Sequence, residues 1–542
     1  MSNDNLMRSV RALGAVDPNT ADVKKDKEKS NKEDEHNGKG DNLPQAKALV
    51  ALSEGCCEFF HDERGDGYAL VRDNGIRRTL KLSSKPFRGW LTGTFYKTTK
   101  AVPGKEALLS AISVLEAKAI HDGNEREMFN RFARQGDAIY IDMADERWRA
   151  IEVTADGWKL IEEPPVMFRR YSHQQALPEP AREGRLSDIH CHLAIKSNDG
   201  KRLLEAFLVA CAFPNVPRPA ITFHGPQGAS KTTTARCLKA LTDPSLLGSV
   251  DLGRSAADLA QVLDHHGVPC FDNLSSIPAW AADMLCRAVT GGTFSKRALY
   301  SDDSDIILSF KRPIIITGIN IPTHAPDLLD RLLLIELERI SPGKRLDEAT
   351  FWKKFNKDSS KLFGALLDAI AGTMKHLPEL KLTRMARMAD FTGIACAYAE
   401  HTGMGSKKMQ ALIMRHARLQ TEEVLAADPV ASAIFEFITK ENSWTGTATG
   451  LLELLNKTAS IPRPHDWPKQ ANGLTRKMNT LHSTLNELEV KYTKATGRKN
   501  GRRLTLEYKA KTSSPPSSPS TCPVHADLAE DGKAKLLSVE PS

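Results

Sequence analysis

The sequence predicts an α/β fold: a parallel-sheet core with a helical lid, a small α+β domain before it and a winged helix after it. Three observations carry this. Short apolar runs, AITFH, VPCF, IIITG and LLLIEL, are spaced by helical segments, which argues for a parallel sheet covered on both faces. The first of them runs into a glycine-containing loop that opens a helix. Near the C-terminus, three helical segments precede two alternating strands around a Gly/Asn turn.

The chain has 542 residues, enough for three or four domains at roughly 150 residues each. With 41% hydrophobic and 26% charged residues it has an ordinary globular balance, not that of a fibrous or wholly disordered chain. The longest apolar stretches, Leu203 to Phe213 and Leu328 to Leu337, each contain a charge and fall short of the ~20 residues that cross a bilayer. No membrane span is expected. The start lacks the layout of a secretory signal, and the nine cysteines form no CxxC pair, so a cytoplasmic protein without a disulfide framework is expected.

In chain order, residues 1–44 are polar, with the mixed-charge run KKDKEKSNKEDEHNGKGD, and are expected to be disordered. Residues 45–165 read as an accessory α+β domain. Asn74-Gly75 between alternating segments signals a hairpin, Lys105 to Ile120 has helical periodicity, and AIYIDM, WRAIEV and GWKLIE are short strands. Residues 166–200, with EEPPV just before them and ALPEP within them, read as a linker. The α/β core spans 201–345, an almost wholly helical lid 346–427, and the winged helix 428–511, with one long helix expected from about Lys469 to Leu488. The tail 512–542, with SSPPSSPS, is again expected to be disordered.

Charge is uneven. The net +8 says little, but Asn456 to Lys511 holds thirteen Lys and Arg against four acids. A basic field confined to one module is the footprint of nucleic-acid binding, though a solvated basic face or an acidic protein partner gives the same pattern.

The chemistry concentrates in AITFHGPQGASKTT, residues 220–233, which matches G-x-x-x-x-G-K-[ST] except that Ser230 replaces the second glycine. Gly225 and Gly228 let backbone amides turn toward phosphate oxygens, and the helix start adds its positive end. Lys231 neutralises the β and γ phosphates, and Thr232 offers a hydroxyl to Mg²⁺. Gly225, Pro226, Gln227, Gly228, Ala229, Ser230, Lys231, Thr232 and Thr233 are therefore the expected P-loop, with ATP and Mg²⁺ as cofactors. If position 230 needs a positive φ, its serine is strained.

The P-loop needs a metal-positioning acid at the end of a neighbouring strand, and VPCFDN supplies Asp272, which with Thr232 makes the expected metal pair. Asn273 stands where many ATPases orient the attacking water with a glutamate; it can position water but cannot take its proton. Asn320, ending IIITGIN, is the expected sensor of the γ-phosphate, with Thr317 second. Arg331, before LLLIEL, is the expected arginine finger toward a neighbouring subunit, a surface salt bridge with Asp327 or Asp330 being the alternative.

The order GPQGASKT, CFDN, AVTGGTFSKRALYSDDSDIILSFKRPIIITGIN and LLDRLLLIEL resembles superfamily 3 helicase ATPases of the AAA+ class, notably the primase-helicase type of phages, plasmids and integrated elements. The resemblance covers about residues 200 to 510. It implies a hexamer and single-stranded DNA in its pore, contacted by a β-hairpin that maps to Thr290, Gly291, Gly292, Arg297, Tyr300 and Phe310. Lys296 and Arg297 become DNA-contact candidates, although the acidic turn Ser301 to Asp305 departs from a phosphate-gripping tip. A separate primase is an implied partner. In AIYIDMAD, Asp142 has Ala144 where a polymerase site needs a second acid two residues on, so 45–165 reads as non-catalytic. His190-Cys191-His192 has no companion ligands and reads as structural. In the winged helix, Arg476 and Lys477 are expected to face a groove of duplex DNA, and Lys494, Arg498, Lys499, Arg502 and Arg503 to meet phosphates.

The expected function is thus an ATP-hydrolysing DNA helicase or translocase serving replication of a mobile element. One rival is a slow ATP-switched DNA-binding initiator or regulator without unwinding. A second is a P-loop scaffold in a defence or signalling assembly.

Overall fold

The computed structural model describes residues 44–297, 305–319, 325–382, 388–458, 467–494 and 503–508. The terminal segments expected to be disordered, Tyr300, the acidic turn up to Ser304, Asn320, Arg498, Lys499 and Arg502 lie outside the described residues. The chain divides into two compact units, the second beginning at Pro429.

The first unit opens with α1 (Gln45–Glu54), then strands β1 (Cys57–His61), β2 (Gly67–Asp73) and β3 (Ile76–Lys81), and helices α2 (Lys85–Thr99) and α3 (Lys105–His121). The hairpin at Asn74-Gly75 is present, both residues having positive φ, and pairs β2 with β3. Helix α2 escapes a reading by propensity because it carries Gly89, Gly93 and four threonines. It forms because Ser84 caps its start and Phe87, Leu91 and Phe95, spaced by four, are fully buried against α1 and α3.

A second antiparallel sheet follows, β4 (Phe132–Gln135), β5 (Ala138–Asp142), β6 (Ala150–Thr154) and β7 (Gly157–Ile161), paired in sequence order. One face of it, Ile139, Ile141, Ile151 and Val153, is buried in the same core as helix α4 (Asn198–Cys211). The 45–165 segment is therefore not walled off from the α/β core. Nor is 166–200 a free connector: Leu177, Leu186, Ile189, Leu193 and Ile195 are buried in that shared core. Its proline-rich backbone finds partners elsewhere, with Gln175, Leu177 and Ala181 N–H groups donating to Pro244, Met143 and Ser360 carbonyls.

The central sheet comprises β8 (Ala220–His224), β9 (Cys270–Phe271), β12 (Ile315–Thr317) and β13 (Leu332–Glu336), all parallel, in the order β9-β12-β8-β13. Between them run α5 (Lys231–Thr242), α6 (Ala256–His265), α7 (Ala279–Thr290), the antiparallel hairpin β10 (Gly292–Arg297) and β11 (Asp305–Phe310), and the short α8 (Pro326–Leu329). Alternate strand residues feed two cores. Ile221, Phe223, Ile315, Leu333 and Ile335 point to one face, and Ala220, Phe271, Ile316, Leu332 and Leu334 to the other. Helices α9 (Glu348–His376), α10 (Ala389–His401) and α11 (Ser406–Ala427) complete the unit. Gly184 and Gly364 let the 181–184 strap lie directly on α9; a Cβ on Gly364 would sit 1.8 Å from the Ala181 carbonyl oxygen.

One buried guanidinium ties these parts together. Arg131, fully buried just before β4, donates to Asp243 Oδ1 at the C-terminal end of α5 (2.9 Å), and to the carbonyls of Asp142, Gln175 and Pro244. Asp243 also accepts from Lys239 and from the Val268 amide. These charges hold its carboxyl well below the usual range despite complete burial.

The second unit contains α12 (Pro429–Glu441), β14 (Ser443–Thr447), α13 (Ala448–Thr458), α14 (Ala471–Thr480), α15 (His482–Glu487), β15 (Val490–Lys494) and β16 (Arg503–Tyr508). Its antiparallel sheet has the order β14-β16-β15. The single long helix expected over 469–488 is two, α14 and α15, meeting at Leu481. Strand β14 was not legible, since SWTGT has no apolar alternation and is held by its ladder to β16.

Candidate functional site

The glycine loop sits where β8 ends and α5 begins. Gly225 has φ 145, and a Cβ there would lie 2.5 Å from the Leu337 carbonyl oxygen; Gly228 has φ 78. Pro226 and Gln227 are exposed, Ala229 is fully buried, and Thr233 is half-buried. Ser230 adopts φ 56 and ψ 35, so the left-handed conformation that a glycine normally supplies is taken by a serine whose side chain makes no cap hydrogen bond.

Lys231 arches back over this loop, its Nζ donating to the carbonyls of Gly225 (2.7 Å) and Pro226 (3.0 Å). Partial burial lowers its pKa, and the Asp272 charge opposes that shift. Thr232 donates to Asp272 Oδ1 at 3.0 Å, and Thr317 donates to the same oxygen. The Asn273 amide donates to Thr317 Oγ1 at 2.8 Å. Asp272 is thus oriented by two hydroxyls from two different elements. Its strand is not adjacent to β8: β12, which carries Thr317, lies between them. The carboxylate and the Thr232 hydroxyl are the hard oxygen donors that Mg²⁺ takes.

Asn273 has φ 55 and an exposed side chain. Asparagine is among the residues that tolerate this region, so the backbone supplies a reason for it independent of chemistry. Thr317 is 1% exposed and already engaged, which makes it an orienting residue for Asp272. Arg331 lies back against its own surroundings: its guanidinium bonds the Asp327 carbonyl, sits 3.8 Å from the Asp327 carboxylate, and approaches Cys286 Sγ at 3.9 Å.

A cavity of about 610 Å³ opens beside the loop, lined by Gly228, Ser230, Thr232 and Thr233 on one side and by His192, Arg345 and Trp352 on the other. Arg236 also lines it, donating to Glu348 at 2.8 Å with its guanidinium 4.8 Å from the Trp352 ring centroid. These flanking residues were missed in the sequence. Arg236 had a signal, being one helical turn beyond Thr232 on the same face; Arg345 and Trp352 had none, because only the return of the chain into α9 brings them here. His190 and His192 pair with different carboxylates, Glu205 and Asp358. Among the described residues no three ligating groups are placed to hold a metal.

Lys296 and Arg297 lie on β10, where they pair in register with Ile306 and Asp305 of β11. In the second unit, Arg476 is exposed and Lys477 half-buried on α14, Arg503 is exposed at the start of β16, and Lys494 on β15 donates to Asn479. Among the described residues no helix is long and apolar enough to cross a membrane.

Comparison with known proteins adds to this geometry. Residues 189–416 match the family model of the actinomycete integrative conjugative element replication protein. Residues 430–520 match that of the AICE RepA C-terminal domain. Both matches support a replication role. No curated protein matches the sequence. Among solved structures, the chain is similar to the A-form apo C-terminal region of NrS-1, at 12% identity over 86% of this chain and 99% of that one, with a TM-score of 0.36. It is also similar to JCV helicase, at 15% identity over 43% of this chain and 63% of that one, with a TM-score of 0.20. At these TM-scores neither likeness bears on fold or activity.

Proposed function

We propose that this chain is an ATP-dependent, DNA-acting motor in the replication of a conjugative element, an AAA+ ATPase of the superfamily 3 type with a C-terminal winged helix. The observation that carries the reading is the meeting of Thr232, Asp272 and Thr317 at the mouth of the glycine loop that Lys231 spans. In this reading the loop amides and the start of α5 surround the β and γ phosphates, and Lys231 exchanges its carbonyl partners for phosphate oxygens. Thr232 and Asp272 hold Mg²⁺, which when bound neutralises phosphate charge. Thr317 keeps Asp272 aimed, Asn273 and Asn320 position water, and the cavity flanked by Arg236, Arg345 and Trp352 takes the nucleoside. The β10–β11 hairpin and the basic second unit contact DNA, and Arg331 serves a neighbouring subunit in a homo-oligomer, a hexamer by resemblance.

ATP turnover by the purified protein, with and without single-stranded DNA, tests this. Turnover stimulated by DNA and reduced about a hundredfold or more by Lys231→Ala is expected. A second reading is favoured by one feature, the asparagine at position 273 where a catalytic carboxylate would stand. There ATP binding acts as a slow switch on a DNA-binding initiator. Tight ATP binding with negligible turnover under both conditions puts that reading first.

A further inference from the structure

A cavity of about 1080 Å³ lies among the first sheet, the 169–172 segment and the last turn of α6. Helix α6 leads directly into the start of β9, whose far end carries Asp272, so this cavity is at the opposite edge of the parallel sheet from the glycine loop. Nothing in the proposed ATPase uses it.

Its walls combine aromatic rings with guanidinium groups. Tyr171 stacks on His265 with ring centroids 4.1 Å apart, and Trp148 lies under the Arg170 guanidinium, 3.9 Å from its ring centroid. Trp148 has φ 58, a conformation uncommon for any bulky side chain and sustained here by its surroundings. Trp90 adds a further ring to the lining.

Most of the cations are committed to holding these walls. Arg170 bonds the Asp142 carboxylate and the Asp145 carbonyl, and Arg64 makes two hydrogen bonds to Asp264, at 2.6 and 3.1 Å. Arg169 bonds Asp62 and the Tyr68 hydroxyl, and Lys81 donates to Asp66. Arg78 differs. Among the described residues its buried Nε has no hydrogen-bond partner, and its nearest paired carboxylate oxygen, on Asp73, is 3.9 Å away. The rest of its side chain is about a third exposed (34%) and lines the cavity, so its terminal nitrogens, held only by that loose pair, are open to an incoming anion. The lining as a whole carries five Lys and Arg side chains against three carboxylates, Glu63, Asp66 and Asp264.

We propose that this cavity binds one nucleotide unit, its base stacked on the wall formed by Trp148, Trp90 and Tyr171 and its phosphate on Arg78. Every nucleobase has a π-face that such a wall accepts, and the arginine fork matches phosphate oxygens. The unit comes either from a free nucleotide or from a single strand.

The test uses the full chain carrying Lys231→Ala, so that failure of the ATPase reading leaves it unaffected. Two photoreactive probes are offered, 5-iodo-dUTP and a short thymidine oligonucleotide with one 5-iododeoxyuridine, and crosslinked peptides are mapped while affinity is read by anisotropy. Crosslinks at Trp148, Trp90 or Tyr171 are expected, with affinity at this site reduced about tenfold by Trp148→Ala or Arg78→Gln and retained by Trp148→Phe. Capture of the triphosphate assigns a free nucleotide; capture of the oligonucleotide alone assigns a strand. Crosslinks only elsewhere in the chain, or crosslinks here that Arg78→Gln leaves undiminished in a variant with an unchanged melting temperature, overturn the proposal.

Discussion

At the scale of single residues, two backbone positions explain two departures from the expected motif. Ser230 and Asn273 both sit at positive φ, and the first was legible in the sequence only as a condition on the loop's shape. Ser230→Gly removes a left-handed serine at a cost of unfolded-state freedom. A net gain of about 0.5 kcal/mol is expected, read as a higher melting temperature with the Lys231 hydrogen bonds kept. His266 carries a pH prediction. Burial, with Lys239 and His173 adding to it, lowers its pKa from 6.5 to about 3. Between those values the unfolded chain binds more protons than the folded one, so this group's contribution falls as pH drops from 6.5 toward about 3. His266→Phe keeps the ring and removes the proton site. Thermal melts across that window are expected to show a shallower loss of stability in the variant than in the parent.

At the scale of elements, the strand–loop–helix order, Asp272 and the Asn74-Gly75 hairpin were readable because each is a local pattern. What stayed hidden depends on partners distant in sequence. Helix α2 is stabilised by burial of Phe87, Leu91 and Phe95 against helices on either side of it in the chain. The placement of β12 between the loop strand and the acid strand is a matter of sheet order, which no spacing reveals, yet it makes Thr317 a partner of Asp272. The packed course of 166–200 was masked by its prolines. Its closest approach to α9 gives a prediction: Gly364→Ala drives a methyl group into the Ala181 carbonyl and is expected to destabilise the protein by about 2 kcal/mol or more, measured by chemical denaturation.

At the scale of the molecule, charge was the most legible property, because the basic excess of residues 456–511 needs only counting. If the second unit meets DNA through phosphates, replacing Arg476 and Lys477 by alanine lowers affinity and reduces the slope of log affinity against log salt by about 0.9 for each phosphate no longer neutralised. Filter binding over a range of salt concentrations measures this, and an unchanged slope argues for a protein partner instead. Assembly is tested separately: sedimentation with ATP is expected to show an oligomer, and a monomer at working concentration removes the role assigned to Arg331. The Arg131 staple was not readable at all, since an arginine after Asn130 carries no mark of the aspartate it meets more than a hundred residues later. Mechanically, it makes α5 a strut, 12 residues and so about 18 Å long, pinned by a buried ion pair at one end and bearing Lys231 and Thr232 at the other. The segment that enters the β4–β7 sheet is therefore anchored, through one buried charge pair, to the far end of the helix that starts at the glycine loop.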